Sequence, residues 1–309
     1  MPQSFDGIPE AQLPPHVNLY RGKVRDVLDL GSSMVLVTSD RISAFDCSLG
    51  CVPGKGEILN QLSLFWFYKT KDLVPNHIIK EVSSRAVKVK KARVIPLEMI
   101  VRGYLTGSAW RDYSNGGVHG QVLPAGLTAN CKFDQPLITP TTKAENGKHD
   151  APISRQEILE QGLVSQKLWE QIVSYSLALF NRGTEILRER GLILVDTKYE
   201  FGLVDDQLIV VDEIHTMDSS RFWFAEDYEK ARAENRPPRQ LDKEFLRTWL
   251  MDQGFQGDGP SPSIPPQVLE EVLSRYKETF QLITGQNFTE QSHGIEVETR
   301  KILSSLIEG

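Results

Sequence analysis

Residues 192–223 read LILVDTKYEFGLVDDQLIVVDEIHTMDSSRFW, and the rest of the chain is organised around this stretch. Leu192-Ile193-Leu194-Val195 is a β-rich run placed directly after a helix-ending Gly191. The chain turns at Val204-Asp205-Asp206-Gln207 and returns through Leu208-Ile209-Val210-Val211, which predicts a β-hairpin. Asp196, Lys198 and Glu200 follow the first apolar half, and Asp212 and Glu213 follow the second. Side chains alternate along a strand, so Asp196, Lys198 and Glu200 share one face. The plainer reading is a solvated strand end with a cross-strand ion pair. The sharper reading is a nucleotide–metal site. Magnesium takes one or two carboxylates, keeps several waters and completes its shell with phosphate oxygens. A hairpin can set Glu200 and Asp212 side by side as those ligands, with Lys198 as a point charge for a phosphate. Asp218-Ser219-Ser220-Arg221 adds hydroxyls and a guanidinium fork suited to a second anion.

A chain of 309 residues can bury two or three compact lobes. Its 40% hydrophobic and 25% charged residues are those of an ordinary globular protein. A net charge of −6 argues against a nucleic-acid partner, because a phosphate backbone demands a basic face. A small anionic ligand needs only a few local cations. Cys47, Cys51 and Cys131 form neither a disulfide framework nor a zinc pattern, and Cys47 and Cys51 read as buried thiols. No signal peptide and no apolar run of membrane-spanning length is present in the sequence, so a cytoplasmic protein without a membrane partner is expected.

The first residues, through Val17, are Pro-rich and read as an irregular arm. Residues 20–28, YRGKVRDVL, and 34–38, MVLVT, read as two strands of a hairpin around Gly31-Ser32-Ser33. Gly22 allows close approach of a ligand to the backbone, and Lys23 and Arg25 fall on one face at strand spacing. That pattern suits a phosphate-covering strand and equally an exposed basic one. Val52-Pro53-Gly54-Lys55-Gly56-Glu57 lacks the spacing of a P-loop, since Lys55 precedes Gly rather than Ser or Thr. Residues 58–67 behind it read as a buried helix. Residues 87–104, VKVKKARVIPLEMIVRGY, read as a strand, a connector containing Pro96, and a second strand, an arrangement suited to an adenine hinge. Arg102 can belong to a ligand site or simply to the structure. Residues 109–150 are rich in Gly, Pro and Asn and read as one long loop, of the kind that is functional or disordered. Ser154 and Glu157 predict a capping box, and a further helix is expected over 165–190. Helices are also expected over 226–234, 242–251, 267–282 and 295–307. No catalytic Ser–His–Asp or Cys–His set is legible, and His215 reads as a surface or loop residue.

Taken together, these stretches resemble the phosphoribosylaminoimidazole-succinocarboxamide synthase (SAICAR synthetase) family. The resemblance rests on YRGKVRD (20–26), SDRISAFD (39–46), PGKGEILNQLSLFWF (53–67), RGYLTGSAW (102–110), TPTTKA (139–144), VDTKYEFG (195–202) and DEIHTMDSSRFW (212–223). Met217 stands where the family's usual loop has proline, which bears only on loop stiffness. The resemblance implies an α+β fold: a kinase-like antiparallel β N-terminal lobe, an ATP-grasp-like lobe and C-terminal helices. It implies domains over 1–88, 89–225 and 226–309, the last packed on the core.

The activity implied is an ATP-dependent, magnesium-requiring ligation of carboxyaminoimidazole ribotide to L-aspartate through an acyl phosphate. Gly22, Lys23 and Arg25 would then meet ATP phosphates, and Val89, Lys91 and Glu98 would lie in the adenine hinge. Glu200 and Asp212 would hold magnesium. Lys198 and Arg221 would be catalytic, Lys198 beside the nucleotide. Arg102, Ser108, Ser220 and Arg221 would bind the ribotide, and Asp40, Arg41, Lys143 and Asp150 would also touch substrate. Partners would be small molecules only, and a monomer is expected rather than a dimer. Two rival readings are a small-molecule kinase acting on a hydroxyl and a non-catalytic nucleotide-binding regulator.

Overall fold

The structure is a computed structural model that describes residues 3–45, 47–119, 121, 123–143, 151–241, 244–289 and 294–307. The chain divides into two compact units, one built from 1–67, 77–91 and 241–309 and the other from 68–76 and 92–240. This differs from the division expected from the sequence. The crossing falls between Lys91 and Ala92, and the C-terminal helices join the N-terminal sheet in one unit.

The first unit opens with strands β1 (Asn18–Arg21), β2 (Arg25–Asp29) and β3 (Ser33–Thr38), an antiparallel meander. The expected single strand over 20–28 is thus a hairpin in its own right. The Gly22 amide donates to the Arg25 carbonyl at 2.7 Å, and a Cβ on Gly22 would stand 2.9 Å from that oxygen. Lys23 therefore sits in a turn, and strand alternation does not align it with Arg25. A ribbon of β4 (Arg41–Ala44) and β5 (Cys47–Cys51) follows, then helix α1 (Lys55–Thr70). Strands β6 (Ile78–Ser83) and β7 (Ala86–Lys90) complete a five-stranded sheet in the order β1-β2-β3-β7-β6. Alternation along β2 and β3 sends Leu28, Val35 and Val37 inward. They pack with Phe5, Ile8 and Ala86 and with Ile302 and Leu306 from the C-terminal end. Each fully buried aliphatic side chain contributes roughly 1.5–3 kcal/mol. Cys47 and Cys51 are half-buried free thiols, not the fully buried ones expected, whereas Cys131 is buried.

In the second unit, β8 (Arg93–Tyr104) carries Pro96 within the strand, not in a connector before it. Helix α2 (Gly107–Ser114) and strand β9 (Lys132–Thr142) fall inside the stretch expected to be one long loop. The capping box at Ser154 starts α3 (Arg155–Glu160), and Ser165 caps α4 (Gln166–Glu189). The central strand β10 (Leu192–Val204) turns through Asp205 and Asp206, both at positive φ, into β11 (Gln207–Val211), as the sequence predicts. Strand β12 (Ser220–Phe224) pairs with the first half of β10, and β8 pairs along its other edge. Beyond β8 lies β9, so the sheet is antiparallel throughout. Helix α4 covers one face of it, with Leu179, Phe180 and Leu187 buried. Helix α5 (Ala225–Ala233) follows β12, where Tyr228 stacks on Trp223 beside Tyr104.

The chain then returns to the first unit through α6 (Glu244–Asp252), α7 (Pro266–Thr284) and α8 (Gly294–Ser305), the last lying on β6. Lys55, at the start of α1, is fully buried with its ammonium over the Tyr276 ring of α7. The neighbouring Gly56 explains the P-loop look-alike: a Cβ there would stand 2.4 Å from the Thr38 carbonyl oxygen and 2.8 Å from that of Ser39. Those are backbone atoms and cannot swing aside. Gly56→Ala should cost at least about 2 kcal/mol in urea unfolding, whereas Gly117→Ala, whose Cβ meets nothing nearer than 3.9 Å, should cost far less. Equal stabilities for the two variants would show that α1 does not abut the end of β3.

Candidate active site

On β10 the odd-numbered Val195, Thr197, Tyr199 and Phe201 are buried, and Asp196, Lys198 and Glu200 share the opposite face. The neighbouring strand supplies a partner for each. Arg102 lies opposite Asp196, and Glu98 lies opposite Glu200. One sheet face therefore carries two charge clusters, whose centres on β10 are four residues, roughly 13 Å, apart.

At the first cluster Asp196 is shared by two guanidiniums. Arg221, directly across from it on β12, makes a bidentate contact, Nε to Oδ1 at 2.9 Å and Nη2 to Oδ2 at 2.6 Å. Arg102 reaches Oδ2 from β8 at 3.1 Å, and its remaining nitrogens donate to Thr139 Oγ1 at 2.8 Å and Ser108 Oγ at 3.2 Å. Burial lowers the Arg102 pKa, and the Asp196 charge opposes that shift. Two guanidiniums share the Asp196 carboxylate, with Asp112 acting on Arg102 from farther away, and the half-open Arg221 is suited to an anion. Gly107 makes room for it: the residue has φ +60°, and a Cβ there would collide with the Arg221 guanidinium.

At the second cluster the Lys198 ammonium donates to Glu200 Oε1 at 2.6 Å and Glu98 Oε1 at 2.8 Å, and stands 3.7 Å from Asp212 Oδ2. Lys143, whose backbone N–H donates to the Pro96 carbonyl just past the end of β9, donates through its ammonium to the other Glu200 oxygen. Burial would lower the Lys198 pKa, but the charges of Glu200, Asp212 and Glu98 outweigh it and raise the value well above the usual ammonium range. Lys143 is likewise raised, with burial opposing and Glu200 prevailing. Three carboxylates against two ammoniums leave a surplus of negative charge, suited to a hard cation. Asp212 comes off β11 in the left-handed region, φ +67°. The hairpin thus brings Glu200 and Asp212 to one ammonium.

Other expected site residues are placed differently. Glu98, expected beside an adenine, belongs to the carboxylate cluster and lies 3.4 Å from Thr141 Oγ1. Ser220 alternates to the face opposite Arg221, where its hydroxyl is 2.8 Å from that of Thr197. Asp150 lies outside the described residues. Gly22, Lys23, Arg25, Val89 and Lys91 all belong to the first unit. Val89 is fully buried in β7 between Met34 and Ile78, so its side chain cannot line a hinge. Lys91 pairs with Asp29 at 2.7 Å, and that hydrogen bond lowers the Asp29 pKa.

Asp40 and Arg41, expected at substrate, are spent on the frame of the first unit. Asp40 is buried and accepts from the amides of Phe5 at 2.8 Å and Gly56 at 2.9 Å and from Arg85 at 3.2 Å. Arg41 donates to buried Asp26 at 2.7 Å and to the Gly22 carbonyl at 3.1 Å.

Four participants were not among the expected site residues: Asp196, Thr139, Gly107 and His215. Asp196 had a signal, the Asp-x-Lys-x-Glu spacing itself. His215 had none, and it is no surface residue: it is fully buried, and burial pushes its pKa down to about 3.

Removing the shared carboxylate isolates a buried guanidinium. Asp196→Asn should lower stability in urea unfolding by about 3–5 kcal/mol, the cost of breaking a buried ion pair. A loss under about 1 kcal/mol would mean that Asp196 does not neutralise Arg102.

The sequence profile of SAICAR synthetase matches residues 18–262. The chain is 46% identical over 284 residues to the phosphoribosylaminoimidazole-succinocarboxamide synthase of Bacteroides thetaiotaomicron, covering 90% of each chain. Among solved structures it is similar to the SAICAR synthase of Saccharomyces cerevisiae complexed with SAICAR, with TM-score 0.80 and 32% identity over 92% of this chain and 100% of that one. A type-2 SAICAR synthetase in complex with ADP shares the fold, with TM-score 0.68 and 24% identity over 88% of this chain and 100% of that one.

Proposed function

The chain belongs to the SAICAR synthetase family of ATP-dependent ligases that join carboxyaminoimidazole ribotide to L-aspartate in purine biosynthesis, and from that premise we propose how its residues divide the work. The observation that carries the proposal is the polarised sheet face of β10, positive at Asp196 and negative at Glu200. Arg102, Ser108 and Arg221 take the ribotide, with the guanidiniums on its phosphate. Lys198 lies by the nucleotide phosphates, and Lys143 stands ready to leave Glu200 for an incoming anion. Lys23 and Arg25 are the phosphate contacts proposed for the first unit, with Gly22 keeping their turn tight. Val89 is enclosed by its sheet, so its side chain makes no adenine contact in this proposal. The antiparallel sheet of the first unit is read as kinase-like and the second unit as ATP-grasp-like.

Glu200 and Asp212 fit magnesium, because both present hard carboxylate oxygens and the cluster retains negative charge beside two ammoniums. Bound there, the metal would supply charge stabilisation for phosphoryl transfer. A carboxylate is a poor electrophile toward an amine. In the proposed route an oxygen of the ribotide carboxylate attacks the γ-phosphorus and ADP leaves. The aspartate amine then attacks the acyl carbon, loses a proton and expels phosphate. Lys198 and the arginines contribute by holding the anions in line, where positioning and charge stabilisation do most of the catalysis. A cytoplasmic monomer acting on small molecules completes the proposal. Among the described residues no helix is long and apolar enough to cross a membrane.

Glu200→Gln and Asp212→Asn should each abolish turnover while circular dichroism stays that of the folded wild type, with the urea midpoint lowered in Glu200→Gln because its buried ion pairs are lost. Near wild-type turnover at saturating magnesium in either variant would remove that residue from the metal site.

The mechanism itself is tested by placing heavy oxygen in the ribotide carboxylate. One labelled oxygen should leave in inorganic phosphate for every amide formed. Unlabelled phosphate at full amide yield would sink the acyl phosphate, and a stable phosphorylated product without amide would indicate a kinase.

A further inference from the structure

The segment from Asp212 to Ser220 links the two charge clusters, and it is fastened from behind the sheet. Two of its residues, Asp212 and His215, hold left-handed backbone conformations, φ +67° and +52°, which a non-glycine residue keeps only when its surroundings over-determine them. At His215 those surroundings are explicit. Its imidazole is fully buried, and Nε2 lies 2.5 Å from the Tyr199 hydroxyl. The two rings meet edge to face at 5.5 Å. On the far side stands Gly183 of α4, where a Cβ would come within 2.5 Å of the imidazole Cε1. A glycine in the middle of a 24-residue helix is unfavourable, and here it is the recess that admits the ring.

Tyr199 is the residue of β10 between Lys198 and Glu200, pointing the other way. The loop that carries Asp212 is therefore tied to the back of the strand that carries Glu200. The second half of the loop has its own ties. Thr216 Oγ1 donates to Glu213 at 2.8 Å, the Thr216 amide donates to Ser219 Oγ at 3.2 Å, and the Lys198 amide donates to the Ser219 carbonyl at 3.0 Å. The two bonds at Ser219 hold residues 216–220 against β10, while the Thr216–Glu213 bond spans His215.

We propose that His215 is a positioning residue for the metal site: its bond to Tyr199 sets Asp212 against Glu200, and its effect on the ribotide end is the smaller one. This rests on the reading of Asp212 as a metal ligand. Nε2 and the phenol oxygen stand at hydrogen-bond distance, and either can carry the proton that joins them.

The test uses the full chain with Mn2+ as probe in saturating ADP, titrated by electron paramagnetic resonance, alongside steady-state kinetics. Tyr199→Phe removes one hydroxyl and leaves the packing, and it carries the test even if a His215 variant does not fold. Tyr199→Phe and His215→Leu should each weaken Mn2+ about tenfold, as lost outer-shell contacts typically do. Their KM for the ribotide should change far less than the Mn2+ affinity. His215→Gln, whose amide can meet the phenol, should recover most of the Mn2+ affinity. In a Tyr199→Phe background, His215→Gln and His215→Leu should bind Mn2+ alike. Wild-type Mn2+ affinity in Tyr199→Phe, or a rise in ribotide KM equal to the loss of Mn2+ affinity, would overturn the proposal. Asp212→Asn is measured in parallel. If it binds Mn2+ as the wild type does, the metal reading fails and takes the proposal with it; if it does not, and Tyr199→Phe does, the proposal alone fails.

Discussion

Asp196 and Glu200 are ionisable carboxylates at 6% and 4% exposure on the central strand of a sheet, and the second unit is arranged around compensating them. A carboxylate that dry is costly unless opposed by a cation and hydrogen-bonded. Arg102 and Arg221 converge on one, and Lys198 and Lys143 on the other. Strand pairing sets the geometry. The register that places Arg102 and Arg221 on either side of Asp196 also places Glu98 beside Glu200. Because neither cluster balances internally, compensation within the protein leaves opposite demands for ligand charge at the two ends. The same ion pairs that make burial tolerable thus prepare the face for an anion at one end and a cation at the other.

The parts of this arrangement legible in the sequence are those encoded locally. Two apolar quartets around Asp205-Asp206 specify a tight hairpin, and alternation then puts Asp196, Lys198 and Glu200 together whatever the rest of the chain does. Ser154 with Glu157, and Ser165 before an amphipathic run, define helix starts by the hydrogen bonds they make. Strand β9 was hidden because Lys132–Thr142 has few apolar residues and two prolines; it is held by pairing with β8, which no local pattern reveals. The turn at Gly22 was hidden for a different reason. Its flanks continue the same β-rich composition, and only the short distance to the Arg25 carbonyl makes a turn necessary.

Charged residues show the same limit. Asp40 and Arg41 have the chemistry of a ligand site, yet their partners are Phe5, Gly56, Arg85, Asp26 and Gly22, scattered along the first unit. Residue type cannot distinguish a carboxylate that meets a substrate from one that closes a frame, since both must be hydrogen-bonded. His215 is the inverse case. As a residue type in a polar loop it suggests exposure, and its burial follows from Gly183, 32 positions earlier, having no side chain. The last helix, amphipathic by sequence, reveals that it buries a face but not that the face meets β6 and the N-terminal arm.

A strand with period two has a front and a back, and here the back is not inert filling. Val195 and Phe201 are ordinary core residues, but Tyr199 between them is a polar side chain buried at full depth. A buried phenol must find a partner or pay for desolvation of its hydroxyl. Thr197 on its own strand is one partner, and the other comes from the loop whose far end carries Arg221. Burial of the core and orientation of the loop therefore depend on the same hydrogen bond. A loop held only from its solvent side would fluctuate with the ligand it is meant to receive, whereas one fastened through the sheet keeps Asp212 at its angle before any ligand arrives. Preorganisation of this kind places the cost of ordering in the fold and leaves less of it to binding.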